Sequence, residues 1–588
     1  MKRRRFLTTL AAAPAVLAAQ QGPPEFAPVT RETAAAAPRI GVNHFGFLPE
    51  AAKTAVVRGQ EGPAEFTVWD VGAWRPVLRG RLRPVASDFG PAQLADFSRL
   101  RQPGLYQLSL GAGDHEHSPE RSVPFFIAAD VWRRTLPTVV GYYRYQRCGV
   151  AVPGVHDACH LDDARRRDTG EHVDTTGGWH DAGDLRKWMD TTMLNAVALL
   201  QLRRCLAAPR PGDPSGEALL EEARHGNTFF LKMQDRDGRV WHDVAGGLNG
   251  DNSDNHWTDN VTGTADDRFL NPEKTEQTAA IFTALQALAA REFASADPAY
   301  AARTLAASRR AWNGSSRRGS TAATAWWALA AAEWIGATGE PEFHAEGRRL
   351  AAELLARQQA GYAYDQSHVR GYWMDGAAPF VDIVNSAAPA LALLALHDAL
   401  PRAPERRAWL AAVQTYLEDY VRPLAARNAY GIVPTGLYTA PLSDETYRPL
   451  AGSLLYRYFL PVRRQFWWQG ANCHLAAHAL LLARFAAAAA GSAREEYRAL
   501  AYRQLEWIAG ANPFGASQIT GLGVRQPYPH SRFVGLIPGG IMNGIAGNAA
   551  DQPVLDRELR LDWRTCEYWS PHVAYYLWAV AALESLRG

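Results

Sequence analysis

The chain has 588 residues, with 62 Lys and Arg against 60 Asp and Glu, which gives a formal net charge of +2. One hydrophobic core rarely serves so long a chain, so we expect at least two domains. The balanced charge lacks the basic excess of nucleic-acid-binding proteins, and five cysteines are too few for a disulfide framework.

The first 19 residues predict an export signal. A basic segment, residues 2–5, precedes a short apolar run at residues 10–19 that ends in small side chains. The Arg-Arg-x-Phe-Leu pattern resembles a twin-arginine signal, which we favour over an ordinary secretory signal with extra arginines. We therefore expect a periplasmic or extracellular protein. No later segment has about 18 uninterrupted apolar residues, so no membrane span is expected.

A polar linker, residues 20–37, is expected to lead into a small β-sandwich at residues 38–130. Short runs with alternating apolar side chains, such as residues 66–69 and 105–110, are separated by Gly, Pro and Asp. About 90 residues of this texture are typical of a two-sheet sandwich.

Residues 131–588 read as helical. Long Ala- and Leu-rich segments have apolar side chains at helical spacing, and the loops between them carry Gly, Pro, Asp and Trp. Many helices with long loops predict an α-helical toroid, in which helical hairpins surround a centre. Seven such segments are residues 191–208, 276–291, 320–336, 342–359, 384–399, 471–490 and 571–586.

A first polar cluster, residues 177–184, contains Asp181 and Asp184 three positions apart. With a helix starting near Leu185, both carboxylates would point the same way. Two adjacent carboxylates can position one water molecule and remove its proton, as a general base does. The alternative is a helix-capping Asp followed by a structural one.

Two further clusters lie near the end of the chain. The Gly- and Pro-rich loop 520–532 contains His530 and Arg532, which can donate hydrogen bonds to hydroxyls. Glu567 lies among aromatic residues, where burial would raise its pKa and allow it to act as a general acid. Taken alone, these are a polar loop and a surface Glu.

Together and in this order, the three clusters resemble the motifs of glycoside hydrolase family 9, the cellulases once called type E. Residues 41–49, 95–98 and 103–106 are similar to the immunoglobulin-like module that precedes many of its catalytic domains. The resemblance implies an (α/α)6 barrel that hydrolyses β-1,4-glucosidic bonds of cellulose-type glucans or cello-oligosaccharides with inversion.

The resemblance also implies roles for these residues. Asp184 would be the general base, Asp181 would help hold the water, and Glu567 would protonate the leaving oxygen, with His530 and Arg532 on the sugar. Inversion requires room for water between acid and base, roughly 6.5–9.5 Å between carboxyls. Family members usually have Asn before the acid and an aliphatic residue after it, whereas this chain has Cys566 and Tyr568.

Four residues could bind zinc: Cys148, Cys159, His160 and His180. Two thiolates and two imidazoles suit tetrahedral zinc, although the spacing is not that of a zinc finger. The alternative is two buried cysteines and two unrelated histidines. The resemblance implies a structural zinc near this place, which would hold the loop of Asp181. A closed four-ligand site argues against a catalytic metal.

The acidic stretch from Asp251 to Asp259 could bind calcium, which is common in the family, or be a solvated loop. No organic cofactor is expected.

Trp257, Trp373 and Trp569 are predicted to stack on sugars, with a β-glucan or oligosaccharide as substrate and a monomer as the working unit. Two other readings stay open. One is an exo-acting hydrolase on glucosamine or other β-linked oligosaccharides. The other is a non-catalytic sugar-binding protein on the same fold.

Overall fold

The structure is a computed structural model. It describes residues 38–587 except 60–61, 63, 112–119, 207–208, 247–255, 363–367, 462–469, 532–533 and 556–562. The predicted export signal and linker therefore lie outside the described residues.

The first module is a sandwich of two antiparallel four-stranded sheets, in the orders β1-β2-β6-β5 and β4-β3-β7-β8. The two sheets share an apolar core, in which Phe47, Phe97 and Phe125 contact one another edge to face or tilted. The strands are β1 (Ile40–Gly41), β2 (Thr54–Arg58), β3 (Glu65–Asp70), β4 (Arg75–Arg81), β5 (Arg83–Val85), β6 (Ala92–Asp96), β7 (Gly104–Leu110) and β8 (Phe125–Ile127).

Twelve helices of ten or more residues follow within the described part of the chain. Shorter helical turns lie at Arg133–Thr135, Leu417–Val421, Arg422–Ala425 and Trp563–Cys566. The long helices are α1 (Leu136–Tyr145), α2 (Met189–Cys205), α3 (Gly216–Lys232), α4 (Glu276–Phe293), α5 (Pro298–Asn313), α6 (Thr321–Thr338), α7 (Pro341–Ala356), α8 (Ala388–Ala399), α9 (Arg406–Tyr416), α10 (Asn472–Ala488), α11 (Gly491–Ile508) and α12 (Ser570–Ser585).

These helices form two concentric rings. Helices α2, α4, α6, α8, α10 and α12 each contact the next, and α12 closes the inner ring against α2. The odd-numbered helices pack outside them. The predicted mainly α fold with an immunoglobulin-like sandwich before an (α/α)6 barrel is confirmed. Among the described residues, no helix has the length and apolarity needed to cross a bilayer.

The amino-acid composition of a helix explains whether it lies in the inner or the outer ring. The inner helix α6 is apolar on all sides, and 14 of its 18 residues are buried. The outer helix α7 has only 5 of 16 residues buried, on one face. A helix that is apolar all round is stable only when surrounded, whereas an amphipathic helix needs one covered face.

Short strands lie in the loops between the helices of the barrel. A four-stranded sheet in the order β10-β11-β12-β9 lies beside the Asp181 loop. The remaining strands form two two-stranded sheets, β13-β14 and β18-β19, and one three-stranded sheet in the order β15-β17-β16. The bounds are β9 (Arg165–Arg166), β10 (Lys187–Trp188), β11 (Asp243–Ala245), β12 (Phe269–Asn271), β13 (Met374–Asp375), β14 (Ala378–Pro379), β15 (Gly436–Tyr438), β16 (Arg448–Ala451), β17 (Leu454–Arg457), β18 (Ala546–Gly547) and β19 (Pro553–Val554).

The sandwich docks on the barrel through buried contacts. The His44 N–H donates to the Ala509 carbonyl over 2.9 Å, and a Cβ on Gly510 would lie only 2.4 Å from the His44 ring. Phe89 packs on Trp507 and Tyr458. These contacts tie the two modules together next to the end of α11.

We predict that Gly226→Ala destabilises the protein. A Cβ on this α3 glycine would lie 1.9 Å from the ring of Trp179, a fully buried side chain whose N–H donates to Glu222 over 2.9 Å. Overpacking of this kind lowers the free energy of unfolding by about 1–3 kcal/mol. Chemical denaturation measures it.

Gly141→Ala in α1 is the matched control, because a Cβ there meets no atom within 4 Å. Its higher helix propensity should leave stability unchanged or raise it by up to about 1 kcal/mol. Equal stability of the two variants would contradict the packing argument.

Candidate active site

Two segments that are far apart in sequence pair beside the inner ring. Ala182 and Trp569 form a β-bridge, and the Ser570 N–H donates to the Asp181 carbonyl over 2.9 Å. Asp181 and Trp569 are 388 residues apart. This pairing brings the loop of the two aspartates to the segment that carries Glu567.

The loop of Asp181 and Asp184 is not helical. Residues 183–185 form a bend, Lys187–Trp188 form a short strand, and helix α2 begins at Met189 instead of near Leu185 as the sequence predicted. The Asp181 N–H donates to the Arg186 carbonyl over 2.8 Å. Turn hydrogen bonds and the neighbouring short sheet, and not a helical turn, therefore orient the two carboxylates.

Asp181 is buried, and both of its carboxyl oxygens accept hydrogen bonds. The Thr191 hydroxyl donates to its Oδ1, and the Trp569 indole N–H donates to its Oδ2 over 2.8 Å. Burial and the neighbouring Asp184 carboxylate raise the pKa of Asp181 to about 8. With both oxygens bound, this side chain is held in one orientation.

Asp184 is more open. Its side chain is half-buried, and one oxygen accepts the Arg186 N–H over 3.0 Å. Burial raises the pKa of Asp184 above its usual value. A carboxylate with a raised pKa that still faces solvent is a better proton acceptor than an ordinary surface Asp.

Glu567 lies over the same loop. A Cβ placed on Gly183 would be 3.2 Å from both Cγ and Oε1 of Glu567, and 2.3 Å from the His530 carbonyl. The Asn543 N–H donates to the Glu567 carbonyl over 2.7 Å. The structure thus brings the three predicted carboxyl groups together, with a glycine at the closest approach.

The predicted histidine loop binds both acidic segments, one through its main chain and one through a serine hydroxyl. The His530 N–H donates to the Cys566 carbonyl over 3.1 Å, and the Ser531 hydroxyl donates to the Gly183 carbonyl over 3.0 Å. His530 therefore lies beside Glu567, while Arg532 lies outside the described residues.

The three predicted stacking tryptophans do not form one platform. Trp569 is 7% exposed and Trp373 2% exposed. Trp373 donates to the Leu354 carbonyl over 3.1 Å and borders a small cavity. Both rings are buried and donate hydrogen bonds, and their stacking on sugars stays a prediction. Trp257 stacks on His160 at 5.7 Å.

Several residues of the site were missed by sequence reasoning. Thr191 contacts Asp181 from the first turn of α2. Trp188, four residues after Asp184, forms a half-buried edge-to-face pair with His242 at 5.1 Å. Although burial opposes it, Asp243 and Asp190 raise the pKa of His242. Only the pairing of β10 with β11 brings Trp188 and His242 together.

The cysteine and histidine residues predicted for zinc do cluster. Ligand atoms of Cys148, Cys159, His160 and His180 lie within 4.8 Å of one another, and all four residues are buried. Cys148 Sγ is 3.5 Å from His160 Nδ1, and Cys159 Sγ is 3.8 Å from His180 Nε2. Ligand atoms around a tetrahedral zinc lie roughly 3.3–3.8 Å apart, so the set fits this metal.

This cluster adjoins the loop of the aspartates. The Cys148 N–H donates to the Gly178 carbonyl over 2.8 Å, and the His180 N–H to Gln146 over 2.8 Å. His160 donates through Nε2 to the His256 carbonyl over 3.0 Å, which leaves Nδ1 for a metal. Since His180 precedes Asp181 directly, the cluster determines where the loop begins.

Comparison with known proteins agrees with this geometry. The family model for glycosyl hydrolase family 9 matches residues 132–538, and the model for the cellulase N-terminal ig-like domain matches residues 35–114. The chain belongs to glycosyl hydrolase family 9.

Relatives of this family 9 chain include a cellodextrinase from Butyrivibrio fibrisolvens, 29% identical over 226 residues, which are 35% of this chain and 40% of that protein. A metagenome-derived family 9 endoglucanase has a TM-score of 0.70 at 24% identity, over 94% of this chain and 100% of its own. A Zn-binding triple mutant of the family 9 endoglucanase J30 has a TM-score of 0.68 at 25% identity, over 91% and 99%. The chain spans about two fifths of the length of the curated relatives it matches.

Part of the acidic stretch that was predicted to bind calcium in this family 9 chain lies outside the described residues. Asp251 and Asp254 lie outside the described residues. Asp259 lies with Asp162 and Asp266, and one carboxylate oxygen of each is within 4.8 Å of the others.

We predict that Trp569→Phe impairs turnover more than substrate binding. The change keeps an aromatic ring but removes the N–H that holds Asp181. Leaving the buried Asp181 Oδ2 without its donor costs about 1–3 kcal/mol, so kcat should fall about five- to a hundred-fold with KM little changed. Steady-state kinetics on a soluble cello-oligosaccharide measures both constants.

Trp578→Phe, nine residues later in α12, is the control and should keep its kcat. An unchanged kcat in Trp569→Phe would show that this hydrogen bond does not position Asp181.

Proposed function

We propose that this chain hydrolyses β-1,4-glucosidic bonds of cellulose-type glucans or cello-oligosaccharides with inversion. The observation that carries the proposal is the convergence of Asp181 and Asp184 on one loop with Glu567 across Gly183. Relatives described as a cellodextrinase and an endoglucanase support the substrate class.

In the proposed reaction Asp184 removes a proton from a water molecule whose oxygen attacks the anomeric carbon. Glu567 gives its proton to the glycosidic oxygen as the bond between that oxygen and the anomeric carbon breaks. The new hydroxyl forms on the face opposite the leaving group, which inverts the anomeric centre. Asp181, held by Thr191 and Trp569, orients the water.

Two other functions are set aside for different reasons. A non-catalytic sugar-binding protein has no need for three carboxyl groups brought together from distant segments, because charge repulsion and burial disfavour such a cluster. An exo-acting hydrolase on glucosamine or other β-linked oligosaccharides shares the same chemistry. We keep β-1,4-glucan as the proposal because relatives of both cellodextrinase and endoglucanase type match.

We predict that proton NMR of cello-oligosaccharide digestion shows the α-anomer first, since inversion of a β-linkage gives an α-product. Asp184→Ala and Glu567→Gln should each lose nearly all activity, by a factor of about a thousand or more.

Asp398→Ala, at an exposed side chain, and Glu405→Gln, at a half-buried one that pairs with Arg348, are the matched controls and should behave as wild type. A β-anomer as first product would exclude inversion, and an active Glu567→Gln would exclude the acid assignment. Cleavage of glucosamine oligomers with no cleavage of cello-oligosaccharides would replace the substrate and keep the mechanism.

We further propose that Cys148, Cys159, His160 and His180 bind a structural zinc. The donor set and its spacing support this, as does the fold shared with a Zn-binding triple mutant of endoglucanase J30. With four protein ligands the ion has no open position for substrate, so its role would be to hold the start of the Asp181 loop.

We also propose that the protein is a monomer. We propose further that it is exported by the twin-arginine route, which the Arg-Arg-x-Phe-Leu segment near residue 4 supports. That route carries folded proteins, so zinc can bind before export.

We predict one zinc per chain by elemental analysis. The double change Cys148→Ser and Cys159→Ser should abolish zinc binding and lower the melting temperature by several degrees, because hydroxyls bind zinc weakly and the loop loses its clamp. Cys205→Ser, a half-buried cysteine outside the cluster, is the control and should keep one zinc. A wild-type protein without zinc, or a double variant with full zinc content, would contradict the proposal.

A further inference from the structure

The segment that carries Glu567 is held by a neighbouring stretch of chain. Residues 541–544 run beside residues 565–569, and main-chain hydrogen bonds join the two stretches. Asn543 lies opposite the acid, and its N–H donates to the Glu567 carbonyl over 2.7 Å. Its side-chain Nδ2 donates to the Trp563 carbonyl over 2.8 Å. Asn543 therefore binds both ends of the turn that leads to the acid.

A buried histidine orients the Asn543 side chain. His572 lies in the first turn of α12 and is 1% exposed. Its Nε2 lies 3.0 Å from Asn543 Oδ1. Because Asn543 Nδ2 faces the Trp563 carbonyl, which can only accept, Oδ1 must face His572, and the proton of the imidazole must be on Nε2. The Nδ1 of His572 has no hydrogen-bond partner among the described residues, which agrees with this tautomer.

The His572 ring is neutral and packs beside the acid segment. Burial lowers the pKa of His572 to about 3, so the ring carries no charge near neutral pH. The ring also meets the Trp569 ring edge to face at 5.2 Å. His572 therefore acts through one neutral hydrogen bond and through packing, and it exchanges no proton in the proposed reaction.

We propose that His572 is a positioning residue for the general acid, because its N–H holds the Asn543 side chain that fixes the turn before Glu567. The proposal rests on the proposed hydrolysis, in which Glu567 protonates the leaving oxygen. An acid gives its proton only within hydrogen-bond reach, about 2.6–3.2 Å. A misplacement of about 1 Å can lower the rate about a hundred-fold.

Loss of the His572 N–H would leave Asn543 Oδ1 buried without a donor. A buried amide oxygen in that state is costly, so the Asn543 side chain should turn toward another donor. It would then release the Trp563 carbonyl, and the turn before Glu567 would lose one of its two bonds to Asn543. The predicted result is a displaced acid, with Asp181 and Asp184 left in place.

Two substrates with different leaving groups separate this role from general damage to the site. The sugar oxygen that leaves from cellotetraose needs the proton of Glu567, whereas 2,4-dinitrophenolate leaves without one. General acid catalysis therefore matters for the first substrate and little for the second. A displaced acid should slow cellotetraose alone, and damage that includes Asp184 should slow both substrates.

The test measures kcat of the full-length protein on cellotetraose and on 2,4-dinitrophenyl β-cellobioside. His572→Phe keeps a ring against Trp569 but has no N–H. It should lower kcat on cellotetraose about ten- to a hundred-fold and leave the aryl substrate nearly unchanged. His572→Gln carries an amide nitrogen close to the position of Nε2 and should recover most of the lost rate. His397→Phe, at a buried histidine beside Asp398 near the end of α8, is the control and should keep both rates.

Asn543→Ala removes the other end of the same hydrogen bond, so the test does not depend on the folding of one variant. It should show the same selective loss on cellotetraose. The double variant His572→Phe/Asn543→Ala should be no slower than Asn543→Ala, because the two residues act through one contact.

Crystal structures of the wild type and His572→Phe give a readout that is independent of activity. The Glu567 carboxyl should move by about 0.5–1 Å relative to Gly183. Equal losses on both substrates, an unmoved Glu567, or a His572→Gln variant no faster than His572→Phe on cellotetraose would overturn the proposal. A wild-type protein that cleaves neither substrate would contradict the proposed hydrolysis alone, and the two crystal structures would still decide whether His572 holds Glu567 in place.

Discussion

The main-chain pairing of Ala182 with Trp569 is the contact on which the site depends. It fixes the start of the last inner helix against the loop that precedes the first inner helix, and so closes the ring where the acids meet. The Trp569 indole and the Ser570 N–H both bind Asp181. The same few residues therefore close the inner ring of helices and position the Asp181 carboxyl group.

The other side of the loop is held by buried polar groups. Lys187 and Arg268 neutralise Asp163, and Lys187 also donates to the Thr175 carbonyl over 2.7 Å. Buried charges of this kind add little stability but tolerate few alternative arrangements, since an unpaired partner would be costly. Together with the cysteine and histidine cluster, they give a loop without secondary structure one defined conformation.

Features that depend on local sequence were predicted well, whereas features that depend on contacts between distant residues were not. Six of the seven Ala- and Leu-rich segments correspond to the six inner helices, because helices buried on all sides are recognisable from composition alone. The amphipathic outer helices, apart from α7, were not singled out. Family motifs identified the carboxyl groups, but the donors Thr191 and Trp569 depend on contacts across the fold, which no local pattern encodes. The buried state of Trp373 and the helix start at Met189 are likewise tertiary effects.

The position of α12 has a consequence for biosynthesis. This helix forms the wall between α10 and α2, and Glu567 lies just before it. A nascent chain that stops before Glu567 has neither the acid nor this wall, and the apolar flanks of two inner helices are uncovered. Hydrolytic activity should therefore arise only after α12 has been synthesised and has packed, whereas shorter nascent chains should be inactive and should bind chaperones.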